Sequence, residues 1–261
     1  MEVHHHAHTA RKKWTHYFWE FLMLFFAVFC GFLAEYQLEH KIEKDRAKEL
    51  AKSFYDELKY DSATVVLKVQ NRIKQENAML RLMKYFKDSS LTNVSKSFAI
   101  DFIYGISFRT PSVFEPRTVV LDQLKNSGSL RYFKNEELQK LIGDLQVSIN
   151  NINDRQELEQ AVRMEYINPL IVLHYDFDFE MQMRQWGKLD VFTAIAAYEK
   201  SNEVIPFHFK GLTKFDKERT INILGFYGMS AVSSTRLVHY KKYSELNARL
   251  LEVLRNEYHL K

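Results

Sequence analysis

Four histidines, His4, His5, His6 and His8, crowd the first eight residues and form the densest set of metal-ligand side chains in the chain. Imidazole nitrogen suits zinc, copper or nickel, and a short tail can wrap three or four rings around one ion, so weak transition-metal binding is expected there. The competing reading is that partly protonated rings supplement Arg11, Lys12 and Lys13 at an anionic headgroup layer. A second set, His174, Asp176 and Asp178 in HYDFDF, has the residue types of a metal or acid–base centre. Local spacing alone makes no site, and the expectation is a loop that caps a bundle with satisfied polar groups. No HExxH, GxSxG, Walker loop or GxGxxG occurs, so catalysis has no support in these motifs. The sole cysteine, Cys30, rules out an intrachain disulfide and cysteine-based zinc motifs. The chain reads as a non-enzyme without a resident cofactor.

The elements that position these residues begin with one apolar run. From Phe21 to Ala34 there is no charged and no hydroxyl-bearing side chain, in a chain that is otherwise 27% charged with a mean hydropathy of -0.34. Fourteen residues span about 21 Å, short of the roughly 30 Å of hydrocarbon in a bilayer. Extension to Trp14 adds Trp14, Tyr17, Phe18 and Trp19, aromatics suited to the headgroup level, and makes a full span. Phe32 stands where a signal peptidase needs a small residue, and Phe29 where a lipoprotein signal needs Gly or Ala, so an uncleaved signal anchor is expected. Arg11, Lys12 and Lys13 precede the span while Glu35 and Glu39 follow it, which places the N-terminus in the cytoplasm.

Within the span, Glu20 is the one ionisable residue enclosed by apolar side chains. It is read as snorkelling toward Lys12 or Lys13 or pairing locally, as meeting another helix, or as carrying proton or ion chemistry, and Ala27 with Gly31 forms a small-xxx-small pair that lets helices approach closely. These three residues are the expected intramembrane contact. Net charge is +4 with the signs well mixed, and no basic, aromatic-interleaved module appears, which argues against a nucleic-acid partner.

With 8 Gly and 4 Pro the chain reads as almost wholly helical. Between Gly31 and Gly105 there is no breaker of either type. Leu58, Ser62, Val65, Val69, Arg72, Glu76, Leu80 and Met83 alternate three and four apart, a helical seam with polar members in its middle. A helix from Trp14 to about Lys87 is therefore expected to project as a stalk, with a break near Asp61 left open. Further helices are expected over Lys96 to Phe108, around TVVLDQLKNSG with its end at Gly128, from an Asn135 cap to Asn168 where Pro169 stops it, from an Asp190 cap to Lys200, and from Asp216 to Tyr258. Leu170 to Phe179 is read as helical or irregular in preference to a strand. Aromatics and Met in Tyr104 to Phe108 and Phe226 to Met229 are read as core.

This element order resembles an uncharacterised family of bacterial single-span membrane proteins with a His-rich or basic N-terminus. The matching residues are Glu20 to Phe25 (EFLMLF), the Ala34–Glu35 pair that ends the span, and Leu124, Ser127, Gly128 and Leu130 of a Leu-x-x-Ser-Gly-x-Leu element, followed by the acidic cap at Glu136 and Glu137. The resemblance implies topology and supplies no chemistry.

Together these features predict an all-α protein: residues 1–13 a His-rich basic cytoplasmic tail, 14–34 a transmembrane helix, 35–87 a stalk, and 88–261 an extended antiparallel bundle. The expected placement is the bacterial inner membrane, single-pass, with the bundle extracytoplasmic. The expected role is a scaffold or accessory subunit whose partners are membrane lipid and other envelope proteins or further copies of itself. A ligand-sensing bundle that signals through a partner, and metal binding at the N-terminal histidines, remain as alternatives.

Overall fold

The computed structural model describes residues 13–109, 112–187 and 190–260. Its backbone is set by α1 (Trp14–Asp88), one unbroken helix of 75 residues, about 110 Å long at 1.5 Å per residue. The absence of Gly and Pro after Gly31 lets it run without a kink, so the open question of a break near Asp61 resolves as continuity. It stops where small hydroxyl residues offer the backbone other partners: Ser89 turns extended, and the Ser90 hydroxyl accepts the Thr92 N–H at 3.3 Å.

The remaining helices fold back around its outer half. They are α2 (Lys96–Phe102), α3 (Val119–Asn126), α4 (Glu136–Val162), α5 (Asn168–His174), α6 (Phe177–Gly187), α7 (Val191–Lys200), α8 (Lys217–Phe226) and α9 (Lys241–Tyr258). Four π-helical turns interrupt them, at Ile103–Ser107, Arg163–Ile167, Tyr227–Ser233 and Thr235–Tyr240. No strand occurs among the described residues, and the fold is all-α. The expected caps form: Asn135 Oδ1 accepts the Leu138 N–H at 3.0 Å, and Asp190 Oδ1 accepts from Phe192 at 2.9 Å. Gly128 takes φ 68° just beyond α3, a left-handed conformation that glycine enters without a Cβ clash.

Three expectations change. The stalk is short: only residues 35–46 precede Ala47, the first buried residue of α1, and from there the helix is the central strut of the bundle. Its buried seam is Ala47, Ala51, Phe54, Leu58, Asp61, Val65, half-buried Lys68, Arg72, Gln75, Met79, Leu82 and Phe86, alternating four and three throughout. The expected seam shares Leu58, Val65 and Arg72 with it and is otherwise one residue late, because two parallel 4–3 stripes exist on α1. Finally, Pro169 does not stop the helical path. It sits in the first turn of α5, and the wider π turn at Arg163–Ile167 relieves the clash and the missing N–H that a proline brings to a helix interior.

Two apolar cores result. The proximal one, nearer the N-terminal end of α1, joins Phe54, Leu58 and Val65 to Phe114, Leu138, Ile142, Ile149, Tyr243 and Leu250; the distal one joins Met79, Leu82 and Phe86 to Phe98, Phe102, Phe179, Phe207 and Tyr227. Each fully buried Leu or Phe contributes roughly 1.5–3 kcal/mol, so the cores carry the stability. At Gly105 a Cβ would come within 3.1 Å of the Met79 backbone nitrogen, and glycine there lets the chain after α2 press against α1.

The N-terminal part of α1 is long and apolar enough to cross a membrane, with mean hydropathy 1.9 in its most apolar stretch and none of it buried in the protein.

Candidate functional site

Between the two cores lies a layer of polar side chains built around Arg72, which is fully buried. Its Nη2 donates to Glu159 Oε2 at 2.9 Å and to the Tyr240 hydroxyl at 3.1 Å, its Nε to the Ser112 carbonyl at 3.1 Å and its Nη1 to the Val232 carbonyl at 3.4 Å. Tyr240 in turn donates toward the Ser112 carbonyl at 2.9 Å and accepts the Phe114 N–H at 3.0 Å. Gln156 clasps Phe114 by both backbone groups, at 2.9 and 3.0 Å. Arg163 donates to the Ser107 carbonyl at 2.5 Å.

Every π turn borders this layer: Ser107, Arg163, Val232 and Tyr240 come one from each. A π turn pushes one residue or carbonyl out of the regular ladder, and here the displaced groups meet Arg72 or Arg163. Burial opposes the Arg72 charge, but Glu159 and Tyr240 more than offset it and hold its pKa above the ordinary value. Burial pushes the Tyr227 and Tyr240 hydroxyls up, so neither is poised as a base or a nucleophile. The layer joins α1, α4 and the π turns between the two cores through these hydrogen bonds and one buried ion pair.

The HYDFDF residues form a clasp at the distal end. His174 Nδ1 lies 2.9 Å from the Lys210 carbonyl and its ring stacks on Phe209 at 5.0 Å. Asp176 accepts the His208 N–H at 2.7 Å, and Lys210 Nζ sits 3.2 Å from Asp176 and 3.7 Å from Asp178. All three side chains are thereby engaged in holding the 201–215 loop, from the end of α5 and the start of α6 and not from the loop that the sequence suggested.

A second feature is superficial. The other 4–3 stripe of α1 carries exposed Val66, Ile73 and Leu80, the last 59% exposed, with Val69 and Met83 half-buried against the cores. Beside it, Met229 is 76% exposed and Leu237 is 54% exposed; the core role expected for Phe226 and Met229 therefore fails, because the π turn that begins at Tyr227 rotates Tyr227 inward in their place. Gly225 and Gly228 leave the helix surface bare next to Met79 and Met83, forming a groove of about 150 Å³. Arg236 and Glu76 cross its end with a bidentate pair, both bonds 2.7 Å. A wider, more open hollow of about 700 Å³ lies along α8 between Val162, Tyr166, Arg219 and Phe226.

His4, His5, His6 and His8 lie outside the described residues. Among the described residues no group of three or more His, Cys, Asp or Glu side chains is placed to hold a metal ion. Glu20 meets His16 at 3.1 Å, one turn back, Lys12 lies outside the described residues, and Ala27 and Gly31 are exposed on the surface of α1, with open space around Gly31. The buried layer was only partly visible in the sequence: Arg72 stood in the expected seam, but Gln156 and Glu159 carry no signal that separates them from the polar face of α4.

No family model, no curated protein and no solved structure matches this chain.

Proposed function

We propose that the chain is a non-enzymatic, membrane-tethered scaffold or accessory subunit of a bacterial envelope complex. In this reading Trp14 to Ala34 spans the inner membrane, the basic tail is cytoplasmic, and the bundle stands outside the cytoplasm to bind other proteins. The observation that carries it is the exposed apolar row Val66, Ile73 and Leu80 on α1, with exposed Met229 lining the same groove as Leu80 and half-buried Met83. A row of large apolar side chains at coiled-coil spacing on an already folded helix fits an apolar partner helix.

The test is purification of the full chain in mild non-ionic detergent, followed by native mass spectrometry. A stoichiometric partner should travel with the wild-type chain and be lost from Leu80→Asp combined with Met229→Asp, two exposed sites where folding tolerates the change. A strictly monomeric wild-type particle, or a partner retained by the double variant, would refute this reading. Labelling of cysteines introduced at Lys13 and Lys241 in a Cys30→Ser background tests the orientation.

A further inference from the structure

One cluster in the proximal core is left with acceptors and no donors. Glu57 and Asp61 sit one turn apart on α1, 8% and 1% exposed, and face Tyr243 and Asn247, one turn apart on α9. Their partners are all neutral. Glu57 Oε2 accepts the Val120 N–H at 3.1 Å, and Asp61 Oδ2 accepts the Arg117 N–H at 3.0 Å and the Tyr243 hydroxyl at 2.8 Å. Asn247 Nδ2 donates to the Leu58 carbonyl at 3.0 Å, and its amide is also within reach of the Tyr243 hydroxyl.

Three buried oxygens remain without a hydrogen-bond partner: Glu57 Oε1, Asp61 Oδ1 and the Asn247 carbonyl Oδ1. The guanidinium of Arg117 does not enter the cluster; it is exposed and lies 3.4 Å over the Tyr60 ring. The Arg117 charge still favours ionised Asp61, but neither acid makes an ion pair within 4 Å among the described residues, and two buried carboxylates without one are costly. Carboxylate and amide oxygens, with no nitrogen or sulfur among them, are the donor set of a hard divalent cation.

We infer that Glu57, Asp61 and Asn247 form a binding site for a calcium-type cation that locks α1 to α9 and to the start of α3. The bonds just described orient each residue from its other atom, leaving the free oxygens for the ion, with water completing the coordination. The site is separate from the outward apolar stripe and stands or falls without it. With two carboxylates, affinity on the order of 10⁻⁴–10⁻³ M is expected.

The experiment uses the full chain in non-ionic detergent, stripped with chelator, its melting temperature read at pH 7.5 with and without 10 mM CaCl₂. A rise on the order of 5 °C is expected, with one ion bound per chain by isothermal titration calorimetry. Glu57→Gln and Asp61→Asn should melt at or above the stripped wild type, since each removes one buried charge, and should lose the calcium response. A merely structural role for the two acids would lower both melting temperatures and leave the calcium response intact. The inference is overturned if wild type ignores calcium, if either variant keeps the full rise, or if NaCl at matched ionic strength gives the same rise. It is equally overturned if the wild type is insensitive to calcium but stabilised by lowering the pH toward 5, which would assign one proton shared between the two acids.

Discussion

Replacing Arg72 by Met tests whether the polar layer between the cores is what aligns them. Arg72 and Glu159 have no exposed side-chain surface and meet at 2.9 Å, so the substitution strands a carboxylate in the interior together with the Ser112 and Val232 carbonyls that Arg72 had served. Breaking one partner out of a buried pair costs about 3–5 kcal/mol. For a chain of this size a kcal/mol corresponds to roughly 2–4 °C, so the melting temperature should fall by about 6–20 °C. The assay is thermal melting followed by circular dichroism at 222 nm in detergent. Arg72→Met combined with Glu159→Met should recover most of the loss, because two well-packed apolar side chains of similar volume replace a buried pair at little net cost. Arg72→Lys should fall between, since a single ammonium cannot reach four acceptors on three segments. A drop of less than about 3 °C for Arg72→Met, or no recovery in the double variant, would refute the claim that the buried pair and not its neighbours aligns the cores.

Gly105→Ala should destabilise the chain by about 1–3 kcal/mol, because the new methyl meets the Met79 backbone at 3.1 Å, whereas Gly225→Ala, with nothing nearer than Met83 Sδ at 3.9 Å, should melt within 2 °C of wild type; equal melts would show the close approach to be incidental. Burial, with the Glu57 charge adding to it, raises the Asp61 pKa above its ordinary value. A carboxyl whose folded pKa is raised binds its proton more tightly when folded, so its contribution is most favourable below the unfolded value and is lost as pH climbs through the folded one. In cation-free buffer, Asp61→Asn should therefore exceed wild type in stability at pH 7.5 and lose that advantage near pH 4; a constant difference across this range would exclude the mechanism.

Helix positions were legible because the breakers are so few. Ser95, Asn135, Asp190 and Asp216 each cap the helix that follows them, and the chemistry of a short oxygen-bearing side chain before an apolar run identifies such caps from sequence. Which face of α1 is buried was not legible. Its two stripes lie one residue apart, both with 4–3 spacing and both mixed in polarity, and hydrophobicity alone ranks the one carrying Val66, Ile73 and Leu80 no lower than the one carrying Asp61, Lys68, Arg72 and Gln75. The true choice depends on what α4, the π turn at Thr235–Tyr240 and α9 bring opposite, namely Glu159, Tyr240, Tyr243 and Asn247, and that pairing is non-local. The π turns escaped for a similar reason. They adjust the phase of a helix to partners elsewhere, so Pro169 looked like a terminator and Met229 looked buried.

The second stripe also bears on what kind of partner the bundle can take. Continued toward the N-terminus at the same spacing, it passes through exposed Lys59, buried Tyr55, exposed Lys52, Lys48, Asp45 and Lys41, and then Leu38 and Ala34 to Gly31 and Ala27. In a straight helix Ala27 and Ile73 would be about 80° apart around the axis, and a left-handed supercoil with a heptad period would bring them onto one line. Two copies paired in parallel along that line would set Lys59, Lys52, Lys48 and Lys41 of one helix against the same four of the other, with Asp45 the one acid among them, a net like-charge contact that opposes pairing between residues 41 and 59. A partner helix carrying acidic residues at those levels, with small residues below and apolar residues above, satisfies all three stretches at once. Charge reversal of Lys48, Lys52 and Lys59 to Glu separates the cases: it should weaken a heteromeric partner that presents acids and leave a homodimer confined to the Val66–Met83 stretch intact.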